Sequence, residues 1–219
     1  MATCNRASIT SDSLAPVLAE PPSAADAEAI AGMEARGFIF GAAVAARLAL
    51  PFLPIRKPGK LPVPVLSISY ALEYGTDTLE VDPGAIRADQ RVVLVSGDGS
   101  FMMNVQELAT IKRFRLPVKI IVIDNQRLGM VKQWQQLFFA GRYSETDLSD
   151  NPDFVALAAA FAIPGHCITR KDEVESALEA MFTWPGPYLL HVCIDDKDNV
   201  WPLVPPGAAN EDMITETKA

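Results

Sequence analysis

Two short polar clusters in this chain carry residue types suited to holding a metal-bound phosphate. The first is Gly97-Asp98-Gly99-Ser100, and the second is Asp124-Asn125-Gln126 with Gly129 close behind. A carboxylate and an amide oxygen, helped by a backbone carbonyl, make a hard-oxygen donor set. Magnesium takes one or two such protein ligands and completes its octahedron with water and phosphate oxygens. Asp98 and Asn125 are therefore the candidate Mg2+ ligands. Glycines beside Asp98 let the backbone approach phosphate oxygens, and the N-terminus of a following helix adds partial positive charge. The chemistry expected is capture of a metal-bound diphosphate.

Asp98 and Asn125 meet only if the intervening chain folds as a crossover. Arg91–Ser96 reads as a strand, and Val118–Ile123 is nearly all β-branched, as a strand buried on both faces should be. Between them, Val105, Leu108 and Ile111 recur at helical spacing, and Asn104 with Glu107 spells a capping box. A right-handed βαβ crossover brings the C-terminal ends of both parallel strands to one sheet edge. Downstream, Met130, Val131, Trp134, Leu137 and Phe138 repeat at helical spacing, with core packing expected for Leu137 and Phe138. A helix follows from Asn151-Pro152, with Phe154, Leu157, Ala158 and Phe161 on one face. Then come a strand over Gly165–Thr169, a helix over Lys171–Phe182 and a last buried strand over Pro187–Ile194. Strands alternating with helical stripes predict an α/β fold with a mainly parallel, doubly wound, Rossmann-like sheet.

Composition narrows the function classes. A net charge of −8 argues against nucleic acid as a partner. Cys4, Cys167 and Cys193 are odd in number and far apart in sequence, which predicts a reducing compartment and no zinc site. His166 and His191 fall in or beside predicted strands and are expected to be satisfied structural residues. The apolar window from Gly37 to Leu53 contains Arg47 and Pro51 and is too short to span a bilayer. The N-terminus shows no charged start leading into an apolar core, so a cytoplasmic location and no membrane partner are expected. Residues 1–31 are expected to form a mobile leader, and 214–219 a tail.

Gly97-Asp98-Gly99, some two dozen residues and then Asn125 match the thiamine-diphosphate signature. The surrounding segment, GDGSFMMNVQELATIKRFRLPVKIIVIDNQRLGMVKQWQQLFFAGRYSET, resembles the acetolactate synthase (acetohydroxyacid synthase) large subunit. The resemblance continues through NPDFVALAAAF, GPYLLHVCIDD and NVWPLVPPGAAN, and covers residues 90–213. It implies thiamine diphosphate and Mg2+ as cofactors, held by Gly97, Asp98, Gly99, Ser100, Asn125, Arg127, Gly129 and Met130. The metal ligands it implies are Asp98, Asn125 and the Arg127 carbonyl. Met130, Val131 and Trp134 would line the pocket for a second 2-oxoacid, and residues 201–207 would lie over the active-site mouth. The implied activity is 2-oxoacid decarboxylation and carboligation in branched-chain amino-acid biosynthesis.

Residues 32–96 resemble a different family, adenine phosphoribosyltransferase, through GMEARGFIFGAAVAARLALPFLPIRKPGKLP and LEYGTDTLEVDPGAIRADQRVVLV. That resemblance implies a phosphoribosyl-diphosphate site around Arg36, Arg56, Lys57, Lys60, Glu73 and Tyr74. The four basic residues suit phosphate, and equally suit a solvated loop. The Thr-Gly-Gly-Thr phosphate loop and the adenine-holding segment of that family are absent. Residues 60–90 lack the glycine-rich methionine segment of acetolactate synthases, and no pyrimidine-binding domain with its catalytic glutamate is present. The chain thus has the pattern of a chimera: residues 32–96 phosphoribosyltransferase-like, 97–213 thiamine-diphosphate-binding. No catalytic residue is identified, so turnover is expected to need a partner chain supplying the pyrimidine-binding domain. Homo-oligomerisation is expected from both families. The alternatives are a phosphoribosyltransferase-like protein of purine salvage, or a non-catalytic fusion product.

Overall fold

Alternation of apolar strand-forming runs with amphipathic segments builds one parallel sheet covered on both faces. A computed structural model describes residues 27–33, 36–72, 75–87, 90–197, 199–205 and 207–215. Its strands are β1 (Ala29–Met33), β2 (Phe52–Ile55), β3 (Leu66–Leu72), β4 (Gly75–Val81), β5 (Val92–Gly97), β6 (Lys119–Asp124), β7 (Gly165–Ile168) and β8 (Tyr188–Cys193). Its helices are α1 (Arg36–Leu48), α2 (Asp98–Met102), α3 (Glu107–Phe114), α4 (Gly129–Phe138), α5 (Phe154–Ala160) and α6 (Val174–Thr183). Six strands form the main sheet in the order β2-β1-β5-β6-β8-β7, all parallel. β3 and β4 make a separate antiparallel hairpin.

The two faces of β6 and β8 bury different residues, as the two-residue period of a strand dictates. Ile121, Ile123, Leu190 and Val192 join Val44 and Ala45 of α1 and Val174, Leu178 and Met181 of α6. Ile120, Val122 and Leu189 face Phe101 of α2, Leu108 of α3, and Phe154 and Ala158 of α5. The sheet is therefore doubly wound, as expected. It is also continuous across the junction of the two resemblances: β5 pairs with β1 on one side and β6 on the other.

Three expectations change. Residues 27–31, expected in the leader, belong to the fold: Ala27, Ala29, Ile30 and Ala31 are buried, and β1 lies between β2 and β5. Residues 1–26 and 216–219 lie outside the described residues. The capping box does not form. Asn104 donates its side-chain amide back to the Ser100 carbonyl (3.3 Å), and the Glu107 carboxylate accepts from the Thr110 hydroxyl (2.8 Å). One predicted helix thus becomes α2, a turn and α3, and α3 starts from Gln106 without a side-chain cap. With five residues, α2 supplies much less of a dipole than the expected long helix. The Gly37–Leu53 window becomes α1 and β2, and no helix among the described residues is long and apolar enough to cross a membrane.

If β1 is integral to the sheet, Ile30→Ala should cost about 2–5 kcal/mol, the range for truncating a buried isoleucine. The check is the urea midpoint of the variant; an unchanged midpoint would place residues 27–31 outside the folded core.

Candidate cofactor and metal site

Parallel pairing sets the ends of β5 and β6 side by side, with Gly97 opposite Ile123. Gly97 leaves the sheet in extended conformation, and Asp98 is the first residue of α2, 2% exposed. Asn125 follows directly after β6 and is fully buried. Asn151 donates its amide to Asp98 Oδ2 at 3.0 Å, fixing the carboxylate. Asn125 Oδ1 accepts the Arg127 backbone N–H at 3.3 Å, whereas its Nδ2 is buried without a partner. The orphan is an N–H donor, so what it lacks is an acceptor such as a phosphate oxygen, whereas a metal would be taken by Oδ1.

A cavity of about 190 Å³ opens here, lined by residues 97–100 and 127–131. Seven of the eight expected cofactor-binding residues line it: Gly97, Asp98, Gly99, Ser100, Arg127, Gly129 and Met130. Asn125, the eighth, is not part of the lining. The glycine at 99 has a reason the sequence did not suggest. A Cβ there would sit 2.8 Å from Leu128 Cδ2 and 3.3 Å from Leu148 Cδ1, so a larger residue would push the ends of these two leucine side chains aside.

The Arg127 loop is clamped on two sides. Leu128 N–H donates to the Thr146 carbonyl and Leu148 N–H to the Gln126 carbonyl, both at 3.0 Å. The Arg127 guanidinium pairs with Asp147 and with Asp196 Oδ2 (3.2 Å), and Lys132 Nζ donates to the Asp196 carbonyl at 2.7 Å. Burial alone would raise Asp196, but the charges of Lys132 and Arg127 hold it below the usual carboxylate range.

Met130, Val131 and Trp134, expected to form a substrate pocket, line one cavity together. A cavity of about 640 Å³ is lined by them with Gln135, Phe139 and Arg142. Met130 and Val131 border both cavities, so the two adjoin. The expected core packing of Phe138 is corrected: it is 38% exposed, stacked edge-on against Trp134. α4 instead buries Gln133, whose amide accepts the Val200 N–H (3.0 Å) and donates to the Val200 carbonyl (2.8 Å). That pair ties the segment after β8 to α4.

Sequence reasoning missed a second cluster on the same sheet edge. His191 Nε2 lies 2.9 Å from Asp124 Oδ2, with the Phe154 ring edge-on at 5.0 Å. This satisfies the histidine, as expected. Burial would lower the His191 pKa, but its bond to Asp124, then Cys167, raises it to about 9. Burial would raise Asp124, yet the His191 hydrogen bond, with smaller help from Asp98, brings it below its ordinary value. Cys167 pairs with His191 in the β7–β8 register, and Cys193 lies two residues further along the same strand face. The two sulfurs are 3.8 Å apart, so cysteines distant in sequence are neighbours in the fold. The His191–Cys193 spacing on a strand was a legible signal for one face; the register of β7 was not.

The basic residues at 56–60 take a different setting. The Arg56 guanidinium sits over the Phe38 ring at 5.5 Å and donates to the Lys60 carbonyl at 3.3 Å. Gly59 N–H donates to Glu80 Oε2 at 2.9 Å, so a carboxylate already occupies this loop. Lys57 and Lys60 are exposed. Arg36 begins α1 but its side chain is not among those described, and Glu73 and Tyr74 lie outside the described residues.

A doubly wound parallel sheet with polar residues converging at the C-terminal ends of adjacent strands is the architecture of an α/β cofactor-binding domain. Residues 75–192 match the thiamine pyrophosphate enzyme, C-terminal TPP binding domain, and the chain belongs to that family. It is 67% identical over 128 residues to the acetolactate synthase isozyme 2 large subunit of Escherichia coli (strain K12), covering 58% of this chain and 23% of that protein. The chain thus spans about a quarter of that relative. Benzoylformate decarboxylase from Polynucleobacter necessarius shares the fold over 91% of this chain and 36% of its own, with a TM-score of 0.62 and 17% identity. Adenine phosphoribosyltransferase from Rhodothermus marinus is 33% identical over 51% of this chain and 65% of its own, with a TM-score of 0.40, which establishes no common fold.

The Gln133 clamp predicts that Gln133→Ala leaves the Val200 backbone groups unpaired and costs about 1–3 kcal/mol. Hydrogen exchange at the Val200 amide should accelerate in the variant; unchanged protection there would mean that Gln133 does not hold this segment.

Proposed function

We propose that this chain binds thiamine diphosphate and Mg2+ as an acetolactate synthase-type cofactor domain. The observation that carries this is buried Asp98 and buried Asn125 at the ends of adjacent strands, Asp98 lining a cavity walled by glycines and Asn125 holding an unpartnered N–H group. Asp98, the Asn125 amide and the Arg127 carbonyl would hold the metal. Gly97, Gly99, Ser100 and Gly129 would present backbone and hydroxyl groups to the diphosphate. When bound, thiamine diphosphate supplies the electron sink that 2-oxoacid decarboxylation and carboligation require. Met130, Val131 and Trp134 would bound the pocket for the second 2-oxoacid, and the Gln133–Val200 pair would keep residues 201–207 near its mouth.

The reaction proper also needs a carboxylate on the cofactor's pyrimidine ring, and a second chain is its proposed source. A homo-oligomer or such a partner would cover Val131, Trp134 and Phe138, which stand exposed on α4. The branched-chain pathway and a cytoplasmic setting follow from the same family reading. Alone, the chain should bind cofactor and turn over little or no pyruvate.

Thermal-shift titration with thiamine diphosphate plus Mg2+ tests the site. Ligand at a hundred times its dissociation constant should stabilise by about 2.7 kcal/mol, and Asp98→Ala should abolish the gain. A shift with phosphoribosyl diphosphate plus Mg2+ alone would favour the phosphoribosyltransferase-like reading, and no shift in either arm would leave a fusion product without a working site.

A further inference from the structure

The β7–β8 register builds a donor set unlike the hard-oxygen one at Asp98 and Asn125. Cys167 on β7, and His191 and Cys193 on β8, place their donor atoms within 4.8 Å of one another. All three project from the sheet face that carries Leu189, opposite the one that carries Leu190 and Val192. His191 and Cys193 are buried, whereas Cys167 is exposed on the edge strand and opens the cluster to solvent.

The distances can be set against what a metal would need. Zinc binds thiolate sulfur at about 2.3 Å and imidazole nitrogen at about 2.0–2.1 Å in tetrahedral geometry. A tetrahedron with those bond lengths has a sulfur–sulfur edge of about 3.8 Å and a sulfur–nitrogen edge of about 3.5–3.6 Å. The structure gives 3.8 Å between the two sulfurs and 3.6 Å between Cys193 Sγ and His191 Nε2. These two edges match those of a tetrahedral zinc site, and the third pair, Cys167 Sγ with a His191 ring nitrogen, lies within 4.8 Å. We propose that Cys167, His191 and Cys193 form a second metal site, selective for a soft or borderline divalent cation such as Zn2+, behind the diphosphate site.

Chemistry supports the selectivity. Two thiolates and an imidazole favour zinc-like ions, whereas magnesium demands oxygen donors. The bond to Cys193, and then His191, holds the Cys167 thiol well below its usual range, which favours the thiolate that a metal requires. Three protein ligands leave a fourth position for water. An entering ion takes the Nε2 atom that now shares a proton with Asp124; that proton leaves, and the carboxylate stays beside the cation as its charge partner.

Cobalt is the practical probe, because thiolate-bound Co2+ gives a charge-transfer band absent from oxygen-ligated cobalt. The reduced, chelator-stripped full chain would be titrated with Co2+ in excess Mg2+. One equivalent should bind, with the thiolate band and the visible bands of a four-coordinate ion, and Zn2+ should bleach both. Cys167→Ser and Cys193→Ser should each weaken binding by more than the about 10- to 100-fold that loss of an outer-shell partner costs. Cys4→Ser should leave the band intact. Asp98→Ala should also leave it intact, which separates this site from the diphosphate reading. Because Cys167 is exposed, its serine variant tests the site even if Cys193→Ser fails to fold. No thiolate band in the unmodified chain, or a band that survives Cys167→Ser or depends on Cys4, overturns the proposal.

Discussion

The polar cluster at the C-terminal edge of the sheet depends on the parallel register of β5, β6 and β8. That register sets Gly97 opposite Ile123 and Asp124 opposite Cys193, so three strand ends terminate at one edge. A slip of one residue would turn Asp124 and His191 toward the face filled by Ile121, Val192 and Met181, where no partner exists for a charge. The apolar residues of both faces hold the register, and the polar edge is its by-product. Asp124 is the joint of the arrangement, because its carboxylate meets His191 on one side and Asp98 on the other.

α4 shows how a helix can serve a site rather than a core. Its one buried residue is Gln133, and Val131, Trp134 and Phe138 point outward at 48%, 37% and 38% exposure. The helix is anchored by polar bonds, Gln133 to Val200 and Lys132 to Asp196, instead of by apolar burial. A buried glutamine with both amide ends satisfied loses little to desolvation and fixes direction sharply. Freed from packing, the aromatic stripe can wall a cavity on the protein surface.

The legible parts of this chain were those set by local pattern. β6 was readable because its β-branched residues are apolar on both faces, and Asp98 and Asn125 because their neighbours define two strand ends. β1 escaped because Ala29-Ile30-Ala31-Gly32 contains a single β-branched residue and no alternation, and its strand character comes from pairing with β2 and β5. The capping box failed because the Asn104 amide turns back to the carbonyl of Ser100 and Glu107 is taken up by Thr110. Gly99 was legible as a glycine that matters but not for its cause, since Leu128 and Leu148 reach it from a loop tens of residues away. Phe138 was misassigned because helical spacing identifies a stripe and not which way the stripe faces.

The cysteine–histidine cluster was illegible for the strongest reason: its third member arrives through the pairing of an edge strand. That origin also constrains what the cluster can do. Sulfur and nitrogen donors lie on β7 and β8, oxygen donors at the ends of β5 and β6, and Asp124 stands between the sets. A cation held by the sulfurs and Nε2 would replace the proton that His191 shares with Asp124, and the carboxylate would remain beside it as a charge partner. The two donor sets are thus separated by chemistry, and Asp124 is the carboxylate that stands next to both.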